Sequence, residues 1–301
     1  MTTLSEAVGA LRQVRHSSFV LRHSPCFLAF DAPHSPALYF GIAANLSPLG
    51  RIFRMNRYAS LSDDFYVNVN LSTEMELPSS RDVVLHFAEQ MQKRYPEMRN
   101  FYARDRNDFI LEEDKDKGSY RWCSIEPRRL SSGHVNPPRI EDALEQHRQA
   151  LELAPYELSV SPLDCEALDL MWGFDFNYRG NHNELVAEAL GVCPGLDRLT
   201  TIPGAKFVQY EPTVTIALDD ECRTQCRVGV ESRTTPYQVR TGEYQEEQLS
   251  VYVTARRYGS LDPGQSLNDA LDGLTKVAYE VLDHYVIESV LEPLARTISL
   301  D

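Results

Sequence analysis

The chain has 301 residues, of which 43% are hydrophobic and 25% are charged. This composition is typical of a globular protein with one large or two modest domains, and it excludes wholesale disorder. The 44 acidic residues outnumber the 30 basic ones, giving a net charge of −14. Nucleic acids and anionic membranes bind basic surfaces, so the charge argues against both as partners.

The first 55 residues differ in composition from the rest of the chain. They contain five Arg, no Lys and two acidic residues, so they are net positive while the remainder is strongly negative. Leu4 to Val14 can form a short amphipathic helix. After it, four prolines lie among scattered apolar residues, and the sequence shows neither a helical nor a strand periodicity. We predict a poorly ordered or irregular extension over residues 1–55. Three interpretations stay open: a docked arm, a flexible tail, or upstream sequence translated before a true start at Met55.

Residues 56–155 predict a first α+β unit. Apolar and polar residues alternate from Phe65 to Leu77, as in a half-buried strand. Ser79 and Asp82 predict the capped start of a helix that Pro96 ends. The predicted elements are a strand over 65–77, a helix over 79–95, strands over 98–113 and 119–126, and a helix over about 140–154.

Residues 156–301 predict a second unit with the same order. The alternation from Leu168 to Tyr178 predicts a strand that turns Trp172, Phe174 and Phe176 towards the core. The predicted elements are this strand, a helix from about 181, strands over about 206–218, 223–234 and 247–258, and a helix from 266.

The final helix carries a long apolar stripe that continues to Leu294. Ser266 and Asp269 predict a capping box at its start, and Pro293 predicts a kink or an end near Leu291. Because the stripe is longer than one small sheet needs, we expect its end to pack against the first unit or against a second chain.

The fold class that follows is α+β, with two pseudo-repeated β-α-β-β-(β)-α units. We expect mainly antiparallel sheets with helices packed on one face of each. Hairpin-like spacing between the later strands argues against a doubly wound parallel sheet.

The sequence also predicts a cytoplasmic location. No apolar run approaches the roughly 20 residues that span a bilayer. Met1 to Ala10 contains Glu6 and no basic residue, whereas a secretory signal opens with a basic segment.

Neither a metal nor a cofactor is predicted. The six cysteines are too sparse for a disulfide scaffold and are expected to be reduced thiols. Cys222 and Cys226 follow three acidic residues, but a zinc site usually shows two short Cys/His pairs. The histidines His86, His147 and His284 lie on predicted helices and are interpreted as buried or flanking residues rather than ligands.

The chain lacks the phosphate-binding glycine loop, the G-x-S-x-G nucleophile turn and the H-E-x-x-H zinc helix. Its densest polar group lies where the aromatic strand leads into the next helix. Asp175, Arg179, His182 and Glu184 are the candidate site residues, because a His near carboxylates can transfer protons. The alternative is a structural turn, capped by Asn181 or Asn183, with Arg179 paired to an acid.

Two segments of the second unit carry a family resemblance. Residues 173–182, which read GFDFNYRGNH, and residues 271–282, which open with LDGL, resemble a group of uncharacterised bacterial hypothetical proteins. The resemblance covers the part of the chain after Met55. It implies a bacterial, cytoplasmic protein and brings no assigned activity or functional residue.

Two classes of function remain open. The first is a noncatalytic binding or assembly protein that contacts another protein or a second copy of itself. The alternative is an enzyme of unassigned class with an acid/base site near His182 and Asp175. A deep pocket that gathers these two residues and a second acid would favour the enzyme.

Overall fold

The computed structural model describes residues 57–105 and 107–300, which lie in one compact unit spanning Ile52–Asp301. The predictions for residues 1–55 fall outside the described residues. The predicted boundary at 155/156 falls in the last turn of a helix, and the division of the chain there stays a prediction.

The strands of the described part are β1 (Asp64–Thr73), β2 (Asn100–Asp105), β3 (Asp108–Glu112), β4 (Tyr120–Glu126), β5 (Arg129–Val135), β6 (Cys165–Tyr178), β7 (Thr213–Ala217), β8 (Thr224–Glu231) and β9 (Glu247–Tyr258).

The helices lie between and after groups of these strands. The α-helices are α1 (Arg81–Arg94), α2 (Ile140–Glu157), α3 (His182–Leu190), α4 (Pro236–Thr241), α5 (Leu267–Val281) and α6 (Glu292–Ile298). A π-helical stretch, Leu282–Leu291, joins α5 to α6, and short 3-10 helices occupy Lys115–Lys117, Pro162–Asp164 and Asp197–Thr201. The mixed helix and strand content confirms the predicted α+β class.

The described strands form one antiparallel sheet in the order β2-β3-β4-β5-β1-β6-β9-β8-β7. Separate sheets were predicted for the two halves, and that prediction is wrong, because β1 pairs with β6 along ten residues. Each of the two strands has apolar residues on one side. Their pairing places these residues on the same face of one sheet, in a single core. The helices α2 and α5 also contact each other, and Arg148 donates to Asp272 across them at 2.7 Å.

One face of the sheet carries the core. Phe65, Val67, Trp172, Phe174 and Phe176 are all buried on it, at no more than 3% exposure, which confirms the predicted orientation of the aromatic strand. Helix α2 packs on β1 and β5, and α5 packs on β6 and β9. The apolar stripes of both helices therefore cover the same side of the sheet.

The region between α1 and α2 contains two strands more than predicted. The expected strand over 98–113 is the hairpin β2–β3, which turns at Asn107 with a φ of 62°. Strand β5 was missed because its core face lacks apolar alternation. Its buried Ser132 contacts Gln146 Nε2 at 2.9 Å and His147 Nδ1 at 3.0 Å, so polar contacts to α2 replace apolar packing there.

The helix starts differ in how well they were predicted. Ser266 and Asp269 form the predicted capping box at α5. At α1 the N-cap is Ser80, and it makes no side-chain cap, so the predicted cap by Ser79 and Asp82 is wrong. The unpredicted helix α4 begins with a capping box from Thr235 and Gln238.

The C-terminal helical segment does not end at Pro293. Backbone angles stay helical at Leu291 and Glu292, and Pro293 lies directly after the change from π to α geometry. The end of this segment packs against α3 of the same half, with Leu291 and Leu294 fully buried. The same segment also contacts the first half, where the Tyr58 hydroxyl donates to Asp283 Oδ1 at 2.8 Å, and the predicted packing of its end against the first half or a second chain stays a prediction.

Candidate binding face

The face of the sheet opposite α2 and α5 is called the open face here. Strand pairing aligns Trp122, Gly133, Asn68, Met171 and Thr254 across five neighbouring strands. These residues alternate in sequence with core residues, which places them on the open face. Trp122, Met171 and Thr254 are half-buried. The row is therefore a partly exposed strip that runs across the middle of the sheet.

A second row lies beside the first. It aligns Val135, Tyr66, Gly173, Tyr252 and Gly229 across β5, β1, β6, β9 and β8. The rings of Tyr66 and Tyr252 lie 6.4 Å apart, edge to face. The open face thus carries aromatic side chains separated by glycines.

The glycines let the aromatic rings lie directly on the backbone. A Cβ added to Gly173 would stand 2.2 Å from a ring carbon of Tyr66, and one added to Gly133 would stand 2.2 Å from the ring of Trp122. A strand glycine commonly marks such a close approach. Both rings therefore pack directly on glycine backbone, which limits their motion.

A hydrogen-bond network extends from Tyr66 across the end of the open face. Its hydroxyl donates to Asp175 Oδ1 at 3.2 Å, and Asp175 also bonds to Ser250. Arg233 Nη2 donates to Ser250 Oγ at 3.2 Å and bonds to Tyr252. The network joins β1, β6 and β9 to the segment that follows β8.

Burial dominates the electrostatics of this network. It raises the pKa of Asp175, against the opposing effects of Ser250, Tyr66 and Arg233. Burial also raises the pKa of the Tyr66 hydroxyl. Burial alone would lower the pKa of Arg233, but Tyr252, Glu231 and Asp175 hold it above its usual value. Arg233 therefore stays charged; it forms an ion pair with Glu231 at 3.6 Å and acts electrostatically on Asp175.

His182 lies at the start of α3 and is 1% exposed. Its Nδ1 accepts from the Arg233 amide at 3.2 Å, which leaves the proton on Nε2, 3.4 Å from the Tyr178 carbonyl. The His182 amide donates to Thr234 Oγ1 at 2.9 Å. Burial lowers the pKa of the ring. Both ring nitrogens therefore face main-chain partners, and the bonds with Arg233 and Thr234 link the β8–α4 connection to the start of α3.

The other predicted site residues lie apart from the network. Arg179 Nε donates to the Tyr244 carbonyl at 3.3 Å, and Glu184 is exposed. Asn181 accepts from the Asn183 amide at 3.1 Å, which confirms the predicted cap of α3. Of the four candidates, Asp175 belongs to the open face, while His182 reaches it only through Arg233. A catalytic role for the four stays a prediction.

Sequence reasoning missed the residues that complete the network. Tyr66, Ser250 and Tyr252 are brought together with Asp175 by strand pairing, and Arg233 reaches the network from the segment after β8. The available signal was the polar side of the alternating strands β1 and β9. That signal shows which side chains share a face, but it does not show which strands are neighbours.

Two surface cavities lie elsewhere in the described part of the chain. One, of about 290 Å³, lies between the end of α1 and the start of α2 and includes Tyr95 and Arg121 in its lining. The other, of about 300 Å³, lies beside α4 and includes Tyr237 and Tyr244. Neither gathers Asp175 and His182, so neither is the pocket that would favour the enzyme.

Cys222 and Cys226 lie in different environments. Cys222 is exposed in the turn between β7 and β8, and Cys226 is buried. Within residues 57–105 and 107–300, no group of three or more His, Cys, Asp or Glu side chains is placed to hold a metal ion. No helix in the same described ranges combines the length and apolar character needed to cross a membrane.

Comparison with known proteins adds no further constraint, since no protein-family model, curated protein or solved structure matches the chain. The resemblance to bacterial hypothetical proteins and the cytoplasmic location therefore stay predictions.

Proposed function

We propose that the chain is a noncatalytic binding or assembly protein that docks another protein on its open face. The observation that carries the proposal is the strip of half-buried aromatic and polar side chains on the side of the sheet opposite the core helices. Tyr, Trp, Met and Arg are enriched where proteins meet. Tyr66, Trp122, Met171, Arg233 and Tyr252 place all four residue types on or beside this face.

Rigidity supports the proposal further. Tyr66 and Trp122 rest on glycine backbone, and Tyr66 is also held by Asp175. Side chains that are already ordered lose less conformational entropy when a partner binds. An extended sheet face with fixed rings fits a protein surface better than a small molecule, which prefers a concave pocket.

The alternative is an enzyme with an acid/base site near His182 and Asp175. The raised pKa of Asp175 favours it, because general acids are often tuned this way by burial. Against it, the His182 ring has main-chain partners at both nitrogens. An acid/base role would require the ring to leave those contacts, so the binding protein is preferred.

We also propose that the chain arose by internal duplication. Outward from the β1–β6 pair, the strand order is β5, β4, β3 on one side and β9, β8, β7 on the other. In each half the central strand is followed by a helix, then by the outer strands, and last by the helix that packs on the core face. The extra strand β2 and helix α4 are then later additions to the two halves.

From the charge and the family resemblance, we further propose a bacterial, cytoplasmic protein that binds neither nucleic acid nor membrane. Another protein is the preferred partner of the open face. Self-association is the second option and is taken up below for a different surface.

The test is affinity capture from native cells with three forms of the chain. Met171→Arg places a long charged side chain in the middle of the open face. Tyr156→Arg is the matched control, because Tyr156 is 83% exposed on α2. We expect the wild type and Tyr156→Arg to capture the same protein at a fixed stoichiometry and Met171→Arg to lose it. Equal capture by all three forms, or no specific capture by any, would contradict the proposal.

A further inference from the structure

The strand β7 is the last strand of the sheet. Among the described residues it pairs with β8 alone, and all five of its residues are exposed. Val214 is 63% exposed and Ile216 is 48% exposed. Natural edge strands are usually protected by charged residues, prolines or a covering segment, because a bare edge pairs readily with another strand. Within its five residues, β7 contains neither a charge nor a proline.

The pairing with β8 fixes which backbone groups face outward. The Leu218 amide donates to the Thr224 carbonyl at 2.8 Å, and the Val230 amide donates to the Pro212 carbonyl at 3.1 Å. Hydrogen-bonded residues alternate along an antiparallel pair, so the even-numbered residues of β7 bond to β8. The amides and carbonyls of Thr213, Thr215 and Ala217 therefore point away from the sheet.

This edge is complementary to itself. We propose that β7 pairs antiparallel with β7 of a second copy of the chain, across a two-fold axis at Thr215. In that register Thr213 faces Ala217 and Thr215 faces Thr215, so the outward amides and carbonyls of one copy meet those of the other. The proposal deepens the assembly role proposed above but concerns a different surface of the sheet.

Side chains fit the same register. Val214 and Ile216 align with Val228 and Cys226 of β8, which places them on the core side of the sheet. Across the axis, Val214 of one copy then meets Ile216 of the other. Pairs of β-branched residues stabilise neighbouring strands, and the contact would remove four exposed apolar side chains from water.

Charge along β7 does not oppose this pairing. Two chains with a net charge of −14 repel each other overall, but β7 itself has no charged side chain, so no like charges face each other along the paired strands. The acids that flank β7 bond within their own chain. Glu211 Oε1 accepts from the Ser232 amide at 2.9 Å, and Asp219 accepts from the amides of Arg223 and Thr224. A five-residue strand pair is a small interface, so we expect a weak dimer, with a Kd of roughly micromolar or above.

The test compares two substitutions at the axis. Thr215→Pro removes the outward amide without touching a bond to β8, and proline is tolerated on edge strands. Thr215→Ala is the matched control, because it keeps that amide. Mass is measured by sedimentation over a concentration series, and hydrogen exchange follows the amides of Thr213, Thr215 and Ala217. Val214→Lys is a second disrupting variant, in case the proline disturbs folding.

We expect the wild type and Thr215→Ala to approach the mass of a dimer and to gain protection at the three amides as concentration rises. Thr215→Pro and Val214→Lys should stay monomeric. A wild type that is monomeric throughout, or a Thr215→Pro variant that dimerises like Thr215→Ala, would overturn the proposal. Met171→Arg should still dimerise, so failure of the edge pairing is distinguishable from failure of the open face as a docking surface.

Discussion

The buried imidazole of His147 makes folding sensitive to acid. Its side chain is fully buried between α2 and the sheet, 3.0 Å from Ser132 Oγ and 3.2 Å from the Val67 carbonyl. Burial, assisted by the nearby His134, lowers its pKa from the ordinary 6.5 to about 3. Below about pH 6.5 the unfolded chain therefore binds a proton that the folded chain does not, and stability falls as the pH falls.

The size of this effect follows from the two pKa values of 6.5 and about 3. Proton linkage gives a loss of about 2 kcal/mol between about pH 7.5 and pH 5 from this one residue. His134, whose pKa burial and Arg121 lower to about 4, adds to the loss in the wild type. Comparison of the wild type with His147→Gln isolates the contribution of His147.

The assay is urea unfolding at both pH values for the wild type, His147→Gln and His284→Gln. His284 is exposed on the π stretch, so its substitution controls for the loss of one imidazole. We expect His147→Gln to lose about 2 kcal/mol less than the wild type over this interval, whatever its stability at neutral pH. An equal loss in the wild type and His147→Gln would refute a neutral, buried His147.

Three further predictions concern the core and the chain ends. Phe174→Ala should lower the free energy of unfolding by about 3 to 5 kcal/mol, because the ring is fully buried; a near-neutral value in urea unfolding would contradict this packing. Leu291→Asp should increase hydrogen exchange in α3 more than in α1, since the π stretch that ends at Leu291 and the following α6 both pack on α3; equal increases would argue against local packing. Deletion of residues 1–55 should leave the thermal midpoint nearly unchanged, and a large drop would show that the segment belongs to the core.

The parts of the fold predicted from the sequence are those where one pattern is strong. The alternation in β1 and β6 gave both strands and the buried face of Trp172, Phe174 and Phe176. Ser266 and Asp269 marked the start of α5. In each case the signal is local, because neighbouring residues both carry the pattern and form the element.

The parts that were missed depend on contacts between distant residues. Strand β5 has Ser132 and His134 on its core face, and the partners of Ser132 on α2 are invisible to a test of hydrophobic period. The two halves form one sheet because β1 pairs with β6. The alternation of apolar and polar residues along a strand does not indicate which other strand it pairs with.

The candidate site shows the same limit. Asp175 was predicted from its neighbours in the sequence, but its hydroxyl partners Tyr66 and Ser250 come from other strands. His182 was predicted as an acid/base residue because of nearby carboxylates. Its ring instead contacts the amide of Arg233, 51 residues away, and only the folded chain reveals that partner.

The open face as a docking surface is tested most directly by site-specific photocrosslinking in native cells. The photoreactive residue p-benzoylphenylalanine is placed at Thr254, which is half-buried on the open face beside Met171, or at the exposed Tyr156 on α2. We predict a discrete crosslink to one other protein from position 254 and none to that protein from position 156. Absence of any specific crosslink from position 254, or the same crosslinked protein from both positions, would contradict the proposed function.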